Sequence, residues 1–190
     1  MNYKPFVIFL AIILTGLAVF AVVSAGYYPI AFVDGQAVFG KQFKREYGAA
    51  ASYYEHVLQT YEDEEAMTAA VVTPREVQAS VLTQLIENIL VRREITRELG
   101  EDLVPLRDAR LSRFKEDQRF QEAASALYGL AFADVQEIVL VPQTERDMLR
   151  SRLFLKGTSL EDWLIEAKRA ANVRLFAPGF AWDGTEVKAE

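Results

Sequence analysis

No cysteine occurs among the 190 residues, and histidine occurs once, at His56. The first absence excludes disulfides, thiolate metal sites and a lipid anchor on cysteine. The second leaves no His/Cys ligand set for a metal and no His-based catalytic pair. Gly-x-Gly-x-x-Gly, phosphate-loop and Gly-x-Ser-x-Gly patterns are missing too, so no dinucleotide or nucleoside triphosphate grip and no nucleophile elbow is offered. Basic charge is scarce where it would matter for nucleic acid. Of the 21 Lys and Arg only Lys4 precedes residue 26, whereas all 27 Asp and Glu follow it, so the remainder nets −7. Sequence-independent nucleic-acid binding relies on the opposite sign. Ser80, Ser112, Ser125 and Ser151 fall in helical stretches with no base set by spacing, and Asp63-Glu64-Glu65 and Glu101-Asp102 fit helix ends. The sequence therefore predicts a protein that is not an enzyme and carries neither metal nor cofactor.

What is abundant is apolar residues, 51% of the chain. Much of the excess sits in Phe6 to Ala25, which holds no charge and only Thr15 and Ser24 as hydroxyl residues. Twenty helical residues span roughly 30 Å, the thickness of a bilayer's hydrocarbon core. Tyr27 and Tyr28 follow, where an interfacial aromatic belt belongs. Val23-Ser24-Ala25 would serve as a signal-peptide cleavage site, but a signal's apolar region is usually ~7–15 residues. Residues 1–28 are read as an uncleaved single-pass anchor with a short cytoplasmic tail. Lys41, Lys44 and Arg45 beyond the segment offset Lys4 before it, so charge does not decide orientation. A short positive tail usually stays cytoplasmic and long domains translocate largely regardless of charge. The expectation is a cell-membrane protein whose domain is extracytoplasmic.

The fold class expected is mainly α: a transmembrane helix, then a helical domain over 29–183 with a small antiparallel β element formed by the chain ends, then a flexible tail over 184–190. Pro29 to Phe39 reads as a hairpin around Asp34-Gly35, a strong two-residue turn signal. Lys41 to Tyr61 reads as a helix with Phe43, Tyr47, Ala50, Tyr54 and Leu58 on one stripe, and Glu62 to Glu65 as a solvated acidic run. Thr73-Pro74-Arg75-Glu76 is a capping box opening a long helix with Val77, Val81, Leu82, Leu85, Ile86 and Ile89 on its apolar face, and Gly100 stops it. Shorter helices follow over Leu106 to Lys115 and Asp117 to Tyr128. A further helix spans Ala133 to Phe154 and should be kinked or interrupted at Pro142. Thr158-Ser159-Leu160-Glu161 reads as a second capping box for a helix through Ala171. Val173 to Phe176 alternates as a strand, and Trp182 closes the ordered part.

The order of these pieces resembles the N-terminal chaperone domain of the SurA and PrsA type, related to the peptide-binding domain of trigger factor. That family opens with V-N-G-x-x-I-x-x-x-x-F. Here Val33-Asp34-Gly35 matches with Asp for Asn, Val38 stands for Ile, and Phe43 matches. It continues with L-x-x-L-I-x-x-x-L-L-x-x-x-A-x-x-x-G, matched by Leu82, Leu85, Ile86, Leu90 and Gly100, with Thr96 near the usual Ala. The resemblance covers most of residues 29 to 176. It departs from the family in having no room for a parvulin-type prolyl isomerase domain, whose histidine pair His56 alone could not supply, so isomerase activity is not expected.

The resemblance implies an ATP-independent holdase whose partners are unfolded or nascent exported proteins, with residues 6–25 in the lipid bilayer and no role for nucleic acid. The client groove is expected between the helix over Lys41 to Tyr61 and the helix from Thr73. Tyr53, Tyr54 and Tyr61 are its candidate lining, and Phe43 and Tyr47 belong to the core. Tyrosine offers a large apolar face, a polar tip and little rotamer entropy to lose. The competing reading is a structural adaptor of an envelope complex that binds one folded partner.

Overall fold

A computed structural model describes residues 4–60 and 73–190. Tyr61, the run Glu62 to Glu65 and the side chain of Leu58 lie outside the described residues. The N-terminal segment is a helix, α1 (Lys4–Ser24). Among the described residues no single helix is long and apolar enough to cross a membrane, and the apolar run credited to α1 is Ile12–Ser24. The helix ends at Gly26, whose φ of +78° suits a residue without Cβ, and the Gly26 carbonyl accepts from the Lys41 amide at 2.8 Å. A Cβ on Gly26 would lie 2.9 Å from that same nitrogen. The end of α1 is thus bonded to the start of the domain rather than tethered by a linker.

The hairpin forms as expected, with β1 (Pro29–Val33) and β2 (Gln36–Phe39). Asp34 and Gly35 have φ of 49° and 87°, the two positive values a tight hairpin turn of matching twist requires. The third strand, β3 (Val173–Leu175), pairs antiparallel with β1, giving the order β2-β1-β3. Asp34 fastens this junction. Its carboxylate accepts from the Asn172 amide at 2.8 Å, its own amide donates to the Asn172 carbonyl at 3.0 Å, and Arg93 pairs with its other oxygen. The Asn172 bond, ahead of Arg93, holds the Asp34 carboxyl below the usual aspartate range.

The helices are α2 (Gly40–Thr60), α3 (Pro74–Leu99), α4 (Leu103–Glu116), α5 (Gln118–Tyr128), α6 (Phe132–Leu155) and α7 (Leu160–Ala170). Thr73 caps α3 as a full capping box: its Oγ1 accepts from the Glu76 amide at 3.2 Å, and Glu76 accepts from the Thr73 amide at 2.7 Å. α4 starts three residues earlier than expected, since Pro105 in its first turn removes a donor that has no helical partner there. Pro142 does not break α6. The five residues before Val141, Gln136–Leu140, take a π-turn in which the Val141 amide reaches back to Gln136, so the widened register absorbs the misfit of the proline ring. The second capping box does not form; a simple side-chain cap stands one residue later. Ser159 caps α7, accepting from the Asp162 amide at 3.0 Å, because Gly157 at φ +76° closes α6 and leaves Thr158 in the connection.

The chain's end departs most from expectation. Residues 180–190, read as closing at Trp182 with a flexible tail after it, form a second hairpin of β4 (Phe180–Trp182) and β5 (Val187–Ala189). Asp183 builds its turn, its Oδ1 accepting from the Thr185 and Glu186 amides at 2.8 and 2.9 Å. Val187 is 5% exposed, and its amide donates to Thr83 on α3 at 2.9 Å. One buried valine and one hydroxyl partner dock a strand whose other two residues are exposed. α3 is the spine of the domain. Its first half packs with Ile30, Ala31, Val33, Val38 and Val187, and its second half with Leu103, Met148, Leu149, Leu153, Leu160 and Leu164.

Candidate functional site

α2 carries Gly48-Ala49-Ala50-Ala51-Ser52, a run of small residues. Where this run faces Val77, Ser80 and Val81 of α3, neither helix fills the space between them. The result is a cavity of about 240 Å³, with Tyr128 of α5 and Ile138 and Val139 of α6 as its third wall. Ala49, Val77, Val81 and Ile138 are buried and form its floor, while Tyr53 and Tyr54, at 37% and 39% exposure, stand at its rim. Tyr53 stacks on Tyr128 with centroids 5.6 Å apart and meets Tyr54 edge-on at 6.0 Å. Burial, and then the neighbouring Tyr53, raises the Tyr128 phenol above its ordinary value.

Of the three tyrosines expected to line the groove, Tyr53 and Tyr54 lie together in it, and Tyr61 lies outside the described residues. Phe43 and Tyr47 pack against the core, stacked on each other at 6.0 Å. Two further lining residues, Tyr128 and Glu46, carried no signal of their own in the sequence. The readable sign was the small-residue run, which leaves α2 without the side chains that would fill the space beside α3.

Among the described residues Glu46 is the only carboxylic acid lining the cavity. It is half-buried, takes a hydrogen bond from Gln42 Nε2 at 3.1 Å, and has no ion pair within 4 Å among the described residues. Burial is the largest influence on it and pushes its carboxyl up to about 7. The cations nearby are otherwise engaged. Arg45 binds Asp134 at 3.1 Å and Glu137 at 2.8 Å, which holds Glu137 below its ordinary range. Arg92 and Arg107 bind the buried Glu145 at 2.9 and 3.3 Å. These pairs line a second, more polar cavity of about 450 Å³ that shares Glu46 and Ile138 with the first. Apart from Glu46 its charges satisfy one another, so it reads as the structural joint between α2, α3, α4 and α6.

The remaining candidates are local. His56 is exposed, with Nδ1 2.8 Å from the Ser52 carbonyl. Ser112 and Ser151 donate to carbonyls of their own helices, Ala109 and Asp147, at 2.9 Å. Among the described residues no group of three metal-ligating side chains comes together. The chain was compared with family models, curated proteins and solved structures, and none of them matches it.

Proposed function

We propose that the chain is a membrane-anchored, extracytoplasmic, ATP-independent holdase of the SurA and PrsA type that takes apolar side chains of unfolded exported proteins into the cavity between α2 and α3. The observation that carries this reading is the tyrosine-rimmed cavity itself. It is smaller than the roughly 300–1,000 Å³ of a small-molecule pocket, which suits a single side chain of an extended segment. Its rim of Tyr53 and Tyr54 is open to solvent while its floor is apolar. The anchor is supported by Phe9, Ile12, Leu14, Leu17 and Phe20 of α1, each between 58% and 70% exposed, an apolar surface that lipid would cover. With the amino terminus cytoplasmic, the bond between Gly26 and Lys41 would hold the domain close to the membrane that clients cross.

The test is suppression of aggregation of unrelated unfolded proteins by the full chain in lipid nanodiscs, against a variant with Tyr53→Ser, Tyr54→Ser and Tyr128→Ser. The reading expects suppression by the wild type and its loss in a variant that melts as a folded domain. Full activity in that variant overturns it. A second reading, an adaptor for one folded envelope protein, is favoured by Phe154 and Leu155, which stand 80% and 78% exposed at the end of α6.

A further inference from the structure

The half-buried carboxylate of Glu46 is out of place in a site built only for apolar side chains. An ionised carboxylate loses hydration on burial and is ordinarily compensated by an ion pair. Here the compensation is one neutral hydrogen bond from Gln42. Among the described residues the cations around Glu46 are committed elsewhere: Arg45 from α2 to Asp134 and Glu137, and Arg92 from α3 and Arg107 from α4 to Glu145. Glu137 from α6 is an anion and repels it. The other polar side chains among the described lining residues are the hydroxyl of Ser80, the amide of Gln84 and the three tyrosines. The cavity therefore offers one carboxylate, aromatic faces and an apolar wall. That is the chemistry which holds a long side chain with an apolar stem and a cationic head.

We propose that the cavity selects client segments in which a basic side chain stands among apolar residues, its cationic head meeting the Glu46 carboxylate while its stem lies against Tyr53 and Tyr54. The inference rests on the holdase reading and names the client chemistry of the same site. The net charge of −7 beyond residue 25 draws such clients toward the domain. Burial raises Glu46 to about 7, so selection depends on pH. The carboxylate is present at pH 8 and largely protonated at pH 5.5. A bound cation favours the ionised form, so docking at pH 7 expels a proton.

The experiment uses the full chain in nanodiscs and two labelled peptides of one apolar sequence, with a central lysine or with norleucine, its uncharged counterpart. At pH 8 the lysine peptide should bind roughly tenfold tighter, the scale of one charge-assisted hydrogen bond after desolvation. That ratio should collapse toward one at pH 5.5 and in Glu46→Gln at either pH. Calorimetry at pH 7 in buffers of different ionisation enthalpy should detect proton release with the lysine peptide and none with norleucine. This measurement uses wild-type protein and stands even if the variant does not fold. Equal affinity for the two peptides overturns the selection and leaves the holdase reading intact. A lysine preference that survives in Glu46→Gln, or binding without proton release, overturns the role of Glu46. Failure to bind either peptide overturns both readings.

Discussion

Against α4, α7 and the C-terminal half of α6, the second half of the spine helix α3 packs tightly: Val91 and Ile95 meet Leu103, Met148, Leu149, Leu153, Leu160 and Leu164, all buried. Against α2 the same helix leaves a gap. The residues it presents are comparable, Val77 and Val81 on the open side and Val91 and Ile95 on the closed side. The difference lies in the partner. α6 answers with Met148, Leu149 and Leu153, whereas α2 answers with Ala49 and Ala50 between the tyrosines of the rim. Close packing is the rule in protein interiors, and a void forfeits dispersion contacts along its lining. One helix thus carries a closed face and an open face, distinguished by the size of the side chains opposite, and the proposed function assigns recognition to the open one.

The comparison breaks first at the chain's end. Deleting everything after Ala171 removes β3, β4 and β5, and with them Val187, the Asn172 partner of Asp34, and the third strand. The hairpin left behind is marginal in water. The truncated domain should lose its cooperative melting transition by circular dichroism, and an unchanged transition would show that the sheet is dispensable. On the closed face, Leu149→Ala opens a cavity at a residue of 0% exposure and should cost about 2–5 kcal/mol in urea denaturation. It should leave client binding per folded molecule unchanged. On the open face the sign inverts. Ala50→Leu fills the existing cavity and should stabilise by about 0.5–2 kcal/mol while abolishing peptide binding. A stabilised variant that binds as before would place binding elsewhere.

The smallest effect is a pH dependence. Burial raises Glu46, so the folded domain favours its protonated form. The stability this gives is complete below the ordinary glutamate range and is lost as pH rises through about 7. Glu46→Gln removes that loss. Its melting temperature relative to wild type should therefore rise between pH 5.5 and pH 8. Asp34 and Glu137, both lowered, act in the opposite sense on acidification but are common to both proteins and cancel. A difference that does not vary with pH would mean that Glu46 is solvated.

Local signals carried most of the fold. Asp34-Gly35 announced the hairpin, Thr73 to Glu76 the start of α3, and Gly100 and Gly129 the ends of α3 and α5. The antiparallel β element expected from the chain ends is the pairing of β1 with β3, which a hairpin too weak to stand alone requires. The second hairpin was missed although Asp183-Gly184 repeats the dipeptide of the first turn, because the strands beside it are only three residues long. Its stability comes from Thr83 and α3, which only the tertiary fold brings near. The same holds for the cavity. Tyr53 and Tyr54 were visible on their helix, but Tyr128 stands 74 positions beyond Tyr54, and the distance between α2 and α3 depends on what α5 and α6 place beside them.

The central claim is that extended clients enter between α2 and α3. It is tested most directly by photo-cross-linking. A p-benzoylphenylalanine group replaces Tyr54 at the cavity rim or, in a second protein, Phe154 at the exposed end of α6. Each is carried by the full chain in nanodiscs and irradiated with a labelled unfolded client. The account predicts strong cross-linking from position 54 and little from position 154, although Phe154 is the more exposed of the two at 80% against 39%. Cross-linking from 154 that equals or exceeds that from 54 would contradict it.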